Sequence, residues 1–117
     1  MYPQLAYAES IYKSVSALDT DLSTGITPTN GQKIAVYRFR ANGSEPTCYV
    51  ALIWDRGGIE EKVIASTKGD IDLVFECSLR CYQFTGNGSR KLQIMISNDN
   101  LTASPIIGGA VEVIEVF

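Results

Sequence analysis

The run Cys48-Tyr49-Val50-Ala51-Leu52-Ile53-Trp54 constrains this chain more than any other stretch. Read as a strand, it places Cys48, Val50, Leu52 and Trp54 on one face and Tyr49, Ala51 and Ile53 on the other, so neither face is polar. A strand with one side in water alternates apolar and polar residues, so this one is expected to be covered on both sides. The preceding run, 33–41, is equally rich in β-branched and aromatic residues, and Asn42-Gly43-Ser44-Glu45-Pro46-Thr47 between them is turn chemistry. The pair therefore predicts a β-hairpin or a short crossing between strands. In the first run the faces shift: Ile34 and Val36 lie on one side, Tyr37 and Phe39 on the other, with Arg38 and Arg40 opposite the aromatics.

The remaining chain reads the same way. Residues 1–8 look like a short N-terminal arm, because Pro3 stops regular pairing. Residues 9–22 suit a helix through Ile11, Val15, Leu18 and Leu22, or a strand through Ser14-Val15-Ser16; the strand is preferred because every later element is one. Arg56-Gly57-Gly58 predicts a hairpin turn into a strand over 61–67, and Lys68-Gly69 the next turn. From Asp70, the residues Ile71, Leu73, Phe75 and Cys77 alternate with Asp70, Asp72 and Glu76, as on a half-exposed strand. Tyr82 and Phe84 continue that phase, Gly86-Asn87-Gly88-Ser89 is a strong turn, and Leu92, Ile94 and Ile96 alternate with Gln93 and Ser97. Asn98-Asp99-Asn100 opens what reads as an exposed loop up to Pro105, before a last strand over about 109–117. These signals predict a single all-β domain over 1–117, an antiparallel β-sandwich of about eight strands, jelly-roll-like, with an immunoglobulin-like sandwich as the alternative.

Composition removes several function classes. With 117 residues and a net charge of -3, the chain has scattered rather than clustered Lys and Arg, which argues against nucleic-acid binding. No stretch reaches the length of a membrane span, and the first residues lack a basic and then apolar signal pattern, so a soluble chain of the cytoplasm is expected unless it is assembled into a particle. Histidine is absent, which removes Ser-His-Asp and Cys-His machinery and histidine-based metal sites. The three cysteines, Cys48, Cys77 and Cys81, read as reduced thiols, with a Cys77 to Cys81 disulfide as the alternative.

The other constellations have plainer explanations. Asp70 and Asp72 share a strand face at a spacing compatible with paired-carboxylate hydrolysis, but a solvated strand face has the same pattern. The Asn98-Asp99-Asn100 triplet lacks the spaced ligands of a calcium loop and suits a turn. Trp54 with Tyr49 or Tyr37 would make a sugar-stacking platform if exposed, although aromatics in a strand usually belong to the core. No catalytic residue, cofactor or metal is expected.

The order of segments carries a resemblance. Gly31-Gln32-Lys33 opens a strand, Leu52-Ile53-Trp54-Asp55 closes another, and Lys91-Leu92-Gln93-Ile94 precedes an Asn/Asp loop, Gly108-Gly109 and a closing Val/Glu strand. Over residues 25–117 this resembles the small β-sandwich proteins of tailed phages and prophages. The resemblance implies a virion component, such as a decoration, collar or tail-associated part, assembled in the host cytoplasm beside other virion proteins. The surplus of apolar strand faces itself predicts self-association, with a trimer as the expected closed form. The candidate contact residues are Tyr49, Ile53, Ile34, Val36 and Phe117. The alternative function, from a different class, is a monomeric carbohydrate-binding module.

Overall fold

Alternating apolar residues build two antiparallel sheets in the computed structural model, which describes residues 5–43, 45–68, 72–76 and 83–116. The strands are β1 (Leu5–Ser14), β2 (Thr20–Leu22), β3 (Lys33–Gly43), β4 (Cys48–Trp54), β5 (Lys62–Lys68), β6 (Asp72–Glu76), β7 (Gln83–Thr85), β8 (Leu92–Asn98) and β9 (Ile106–Val116). One sheet has the order β1-β9-β3-β6, with β7 also pairing β3; the other has the order β2-β8-β4-β5. Every pairing is antiparallel. Apart from the β4-β5 hairpin and the β6-β7 pair, successive strands switch sheets. That order is the jelly roll, in which two interlocked Greek keys fold into a double sheet.

The described strands number nine where the sequence predicted about eight, because the stretch over 9–22 read as one strand is divided between β1 and β2, which lie in different sheets. β7 pairs Lys33 to Ala35 and β6 pairs Arg38 to Asn42, so the described pairings on this edge of β3 flank Val36 and Tyr37. The register between β3 and β9 shifts at the same place, so Tyr37 is the extra residue of a β-bulge. This bulge accounts for the change of face in the sequence. Beyond it Phe39 returns to the same buried side as Ile34 and Val36, while Arg38 and Arg40 lie on the outer face opposite it, as expected.

The core lies between the sheets. Ile34, Val36, Phe39 and Ala41 of β3 and Ile107, Val111 and Val113 of β9 face Cys48, Val50, Leu52 and Trp54 of β4 and Leu92, Ile94 and Ile96 of β8. Trp54 stacks on Phe84 with ring centroids 4.8 Å apart, a favourable addition to burial of both rings. It is a core residue, so the sugar platform imagined for an exposed Trp54 does not exist. Removing so large a buried side chain costs about 3–5 kcal/mol.

Two expectations are corrected, and one choice between alternatives is decided. The N-terminal arm expected over 1–8 is strand from Leu5 onward, paired to β9 from Leu5↔Ile114 to Ser14↔Ile106. Tyr7, Glu9 and Ile11 of this strand occupy inward positions, and Glu9 in that series hid the apolar alternation. Of the two forms expected for the link over 42–47, the structure has the crossing, because β3 and β4 belong to different sheets. Asn98 is not part of an exposed loop; it is buried at the end of β8. Its Nδ2 donates to the carbonyls of Val15, Ser16 and Ala103 at 3.1, 3.3 and 2.8 Å, and its Oδ1 accepts from Asn100 N–H at 2.9 Å. A buried amide is tolerated when its hydrogen-bonding capacity is met in this way.

The turns follow their expected chemistry. Asn87 Oδ1 accepts from the N–H groups of Ser89 and Arg90, and Asn100 Oδ1 from those of Thr102 and Ala103, each a side chain standing in for a backbone turn. The 86–89 turn joins β7 to β8, which lie in different sheets. The β4-β5 hairpin is fixed by Asp55, whose carboxylate accepts from Glu60 N–H at 3.0 Å while Arg90 bridges Asp55 and Glu60 at 3.6 and 3.2 Å.

Candidate functional site

With the inner faces filled, function falls to the two outer faces and the loops. The outer face of the four-stranded sheet is built from the residues that alternate with the core. β4 contributes Tyr49, Ala51 and Ile53; in register with them stand Met95 and Gln93 of β8 and Val63 of β5, and Leu22 of β2 stands against Met95. Ala51 is fully buried and Ile53 only 4% exposed, although neither belongs to the core cluster between the sheets. Leu22 and Val63 on their flanks remain 37% and 51% exposed. The result is an apolar band across all four strands, with Tyr49 half-buried at its side.

This placement corrects part of the expected contact surface. Ile34 and Val36 face the opposite sheet from a strand paired on both edges, so their side chains are enclosed within one chain. Ile53 stands on the outer face but is already buried within one chain, leaving Leu22 and Val63 as the exposed apolar residues there. Tyr49 lies half-buried on that face, and Phe117 lies outside the described residues. Leu22 and Met95 escaped the sequence reading because the 9–22 stretch was ambiguous and Met95 alternates with the conspicuous Ile94 and Ile96.

The outer face of the five-stranded sheet is different in chemistry. Three cross-strand rows span β1, β9 and β3: Tyr12, Gly108 and Asn42; Ser10, Ala110 and Arg40; Ala8, Glu112 and Arg38. The small residues of β9 leave a groove between the taller side chains of β1 and β3. One part, of about 310 Å³, is lined by Ser10, Tyr12, Arg40, Asn42, Gly109 and Ala110. The adjoining part, of about 220 Å³, is lined by Arg38, Arg40, Ala110 and Glu112. Tyr12 is 66% exposed, and its ring leans across β9 onto Gly108, where a Cβ would collide with ring atom Cδ2.

Other candidate chemistry does not assemble. Asp72 lies on β6 opposite Asn42, while Asp70 lies outside the described residues, as do Cys77 and Cys81. Cys48 is a free, buried thiol of the core, as read from the sequence. Among the described residues no group of three Asp, Glu or Cys side chains is placed to hold a metal ion, and no helix is long and apolar enough to cross a membrane.

No protein-family model matches the chain, and no curated protein does. Solved structures similar to it include a Drosophila NLP-core structure described as providing insight into pentamer formation and histone binding. That similarity has 12% identity and a TM-score of 0.41, over 92% of this chain and 97% of the other. A structure titled "CBM4 structure and function" is similar at 12% identity and a TM-score of 0.46, over 97% of this chain and 78% of the other.

Proposed function

We propose that this protein is a non-enzymatic structural part that works as a homo-oligomer, joined through the outer face of its four-stranded sheet. The observation that carries the reading is the apolar band of Leu22, Met95, Ala51, Ile53 and Val63 on a face where an antiparallel sandwich ordinarily presents polar residues to water. A second copy laid on this band would cover the exposed parts of Leu22 and Val63, and closed symmetry is the usual outcome for such contacts. The virion setting rests on the segment order that resembles small tailed-phage sandwich proteins, and a trimer remains the expected order of the ring.

Light scattering on the eluting protein at micromolar concentration tests the proposal. A mass that is a multiple of 12.8 kDa is expected, three times that value for the trimer. The double substitution Leu22→Glu, Val63→Lys should return the mass to that of one chain with the far-ultraviolet spectrum unchanged, because both side chains are already partly in water. A wild-type mass of one chain would overturn the reading.

A further inference from the structure

The groove on the five-stranded sheet is used neither by the core nor by the proposed contact, which lies on the opposite side of the sandwich. Its shape and chemistry are unlike those of a merely solvated sheet face. The three rows extend roughly 14 Å along the strands at about 3.4 Å per residue. Gly108 and Ala110 keep the floor low, while Tyr12 presents a largely exposed aromatic surface at one end. Around it stand Ser10 and Asn42, each able both to donate and to accept, Arg40, which donates, and Glu112, which accepts.

We propose that this groove is a carbohydrate-binding site, with Tyr12 as the stacking platform for one pyranose ring and Ser10, Arg40 and Asn42 as hydrogen-bonding partners of its hydroxyls. A sugar ring has an apolar C–H face and a rim of hydroxyls that both donate and accept, which is the combination the groove offers. An open floor suits a ring laid flat on the sheet, with neighbouring units of a chain running on toward Arg38 and Glu112. Other ligand classes fit less well. Glu112 in the groove and the net charge of -3 oppose a nucleic acid or a small polyanion, and an apolar small molecule would desolvate Arg40, Asn42 and Glu112 without replacing their hydrogen bonds.

Contact with Gly108 alone would explain why Tyr12 lies down on the sheet, since an aromatic ring often shields a strand glycine. The test separates that role from binding. Wild-type protein is run through native gels cast with xylan, hydroxyethyl cellulose, laminarin, galactomannan or dextran, and the dissociation constant is read from retardation against polysaccharide concentration. Retardation by at least one of these is expected. Tyr12→Leu, which still covers Gly108 but cannot stack, should raise that constant at least tenfold, and Asn42→Ala should raise it severalfold, with melting temperatures close to wild type. Leu22→Glu, on the other face, should leave it unchanged whatever it does to the oligomer. Lack of retardation by all five polysaccharides, or equal retardation of wild type and Tyr12→Leu, would overturn the assignment.

Discussion

Glu9 and Ser23 meet across the open edge of the sandwich. Ser23 Oγ donates to Glu9 Oε2 at 3.1 Å, and Gly25 N–H donates to Glu9 Oε1 at 2.7 Å. β1 and β2 are the edge strands of their sheets on this side, so one carboxylate ties the two layers where no strand ladder can. Ser23 is buried, and its Oγ also accepts from Ile94 N–H at 2.9 Å, extending the tie into β8. Lys13 and Asp21 bridge the same edge at 3.2 Å, with side chains 50% and 33% exposed.

The two ties should differ in value. Hydrogen bonds to a charged group are worth about 1.5–3 kcal/mol when their partner is removed, so Glu9→Ala is expected to lower the unfolding free energy by that amount. Lys13→Ala should cost less than about 1 kcal/mol, as exposed ion pairs do. Urea unfolding followed by Trp54 fluorescence measures both. Equal losses for the two variants would mean that the edge is not held by Glu9.

Asn98 does for one end of the sandwich what Glu9 does for the edge. Its amide joins the segment after β1 to the loop before β9, and Asn98 N–H donates to Asp19 O at 3.0 Å. Asn98→Ala leaves the Val15, Ser16 and Ala103 carbonyls without that donor and should cost about 1–3 kcal/mol. Hydrogen exchange should then accelerate together in residues 15–19 and 99–105. Acceleration confined to one of the two segments would show that Asn98 does not couple them.

Which parts of this architecture could be read from the residues follows from how local each signal is. The alternation in β8, where Leu92, Ile94 and Ile96 point inward and Gln93, Met95 and Ser97 outward, depends on strand geometry alone and was legible. The double apolar character of β4 was legible too, but not its consequence: Ile53 is buried within the single chain, and the accessible surface passes to Leu22 and Val63 on the two edge strands, which come to share one face only when β2, β8, β4 and β5 line up. The Tyr37 bulge was visible as a change of face and unreadable as a bulge, since the extra residue is defined by its partner strand. Asn98 and Glu9 defeated composition-based reading for one reason. A polar residue is buried when partners distant in sequence satisfy it, and those partners cannot be seen locally. The groove was invisible for the same reason, because Tyr12 and Arg40 come to line it from opposite sides of β9 through registers that only the closing strand supplies.

Tyr12 and Gly108 offer a test of that register. They are direct cross-strand partners, and the ring occupies the space that a side chain at 108 would need. Gly108→Ala should therefore cost about 1–3 kcal/mol, the range for overpacking a filled site, as the ring is forced off the sheet. Tyr12→Ala alone removes one exposed cross-strand contact and should cost less than about 1 kcal/mol. In the Tyr12→Ala background, Gly108→Ala meets no ring, and it replaces a glycine that weakens a strand interior, so it should be close to neutral. The double-mutant cycle is expected to show a coupling of at least about 0.5 kcal/mol, the lower bound for residues in contact, with the second substitution relieving the first. Strict additivity in urea unfolding would mean that the ring does not rest on Gly108, and the platform built on that contact would lose its geometry.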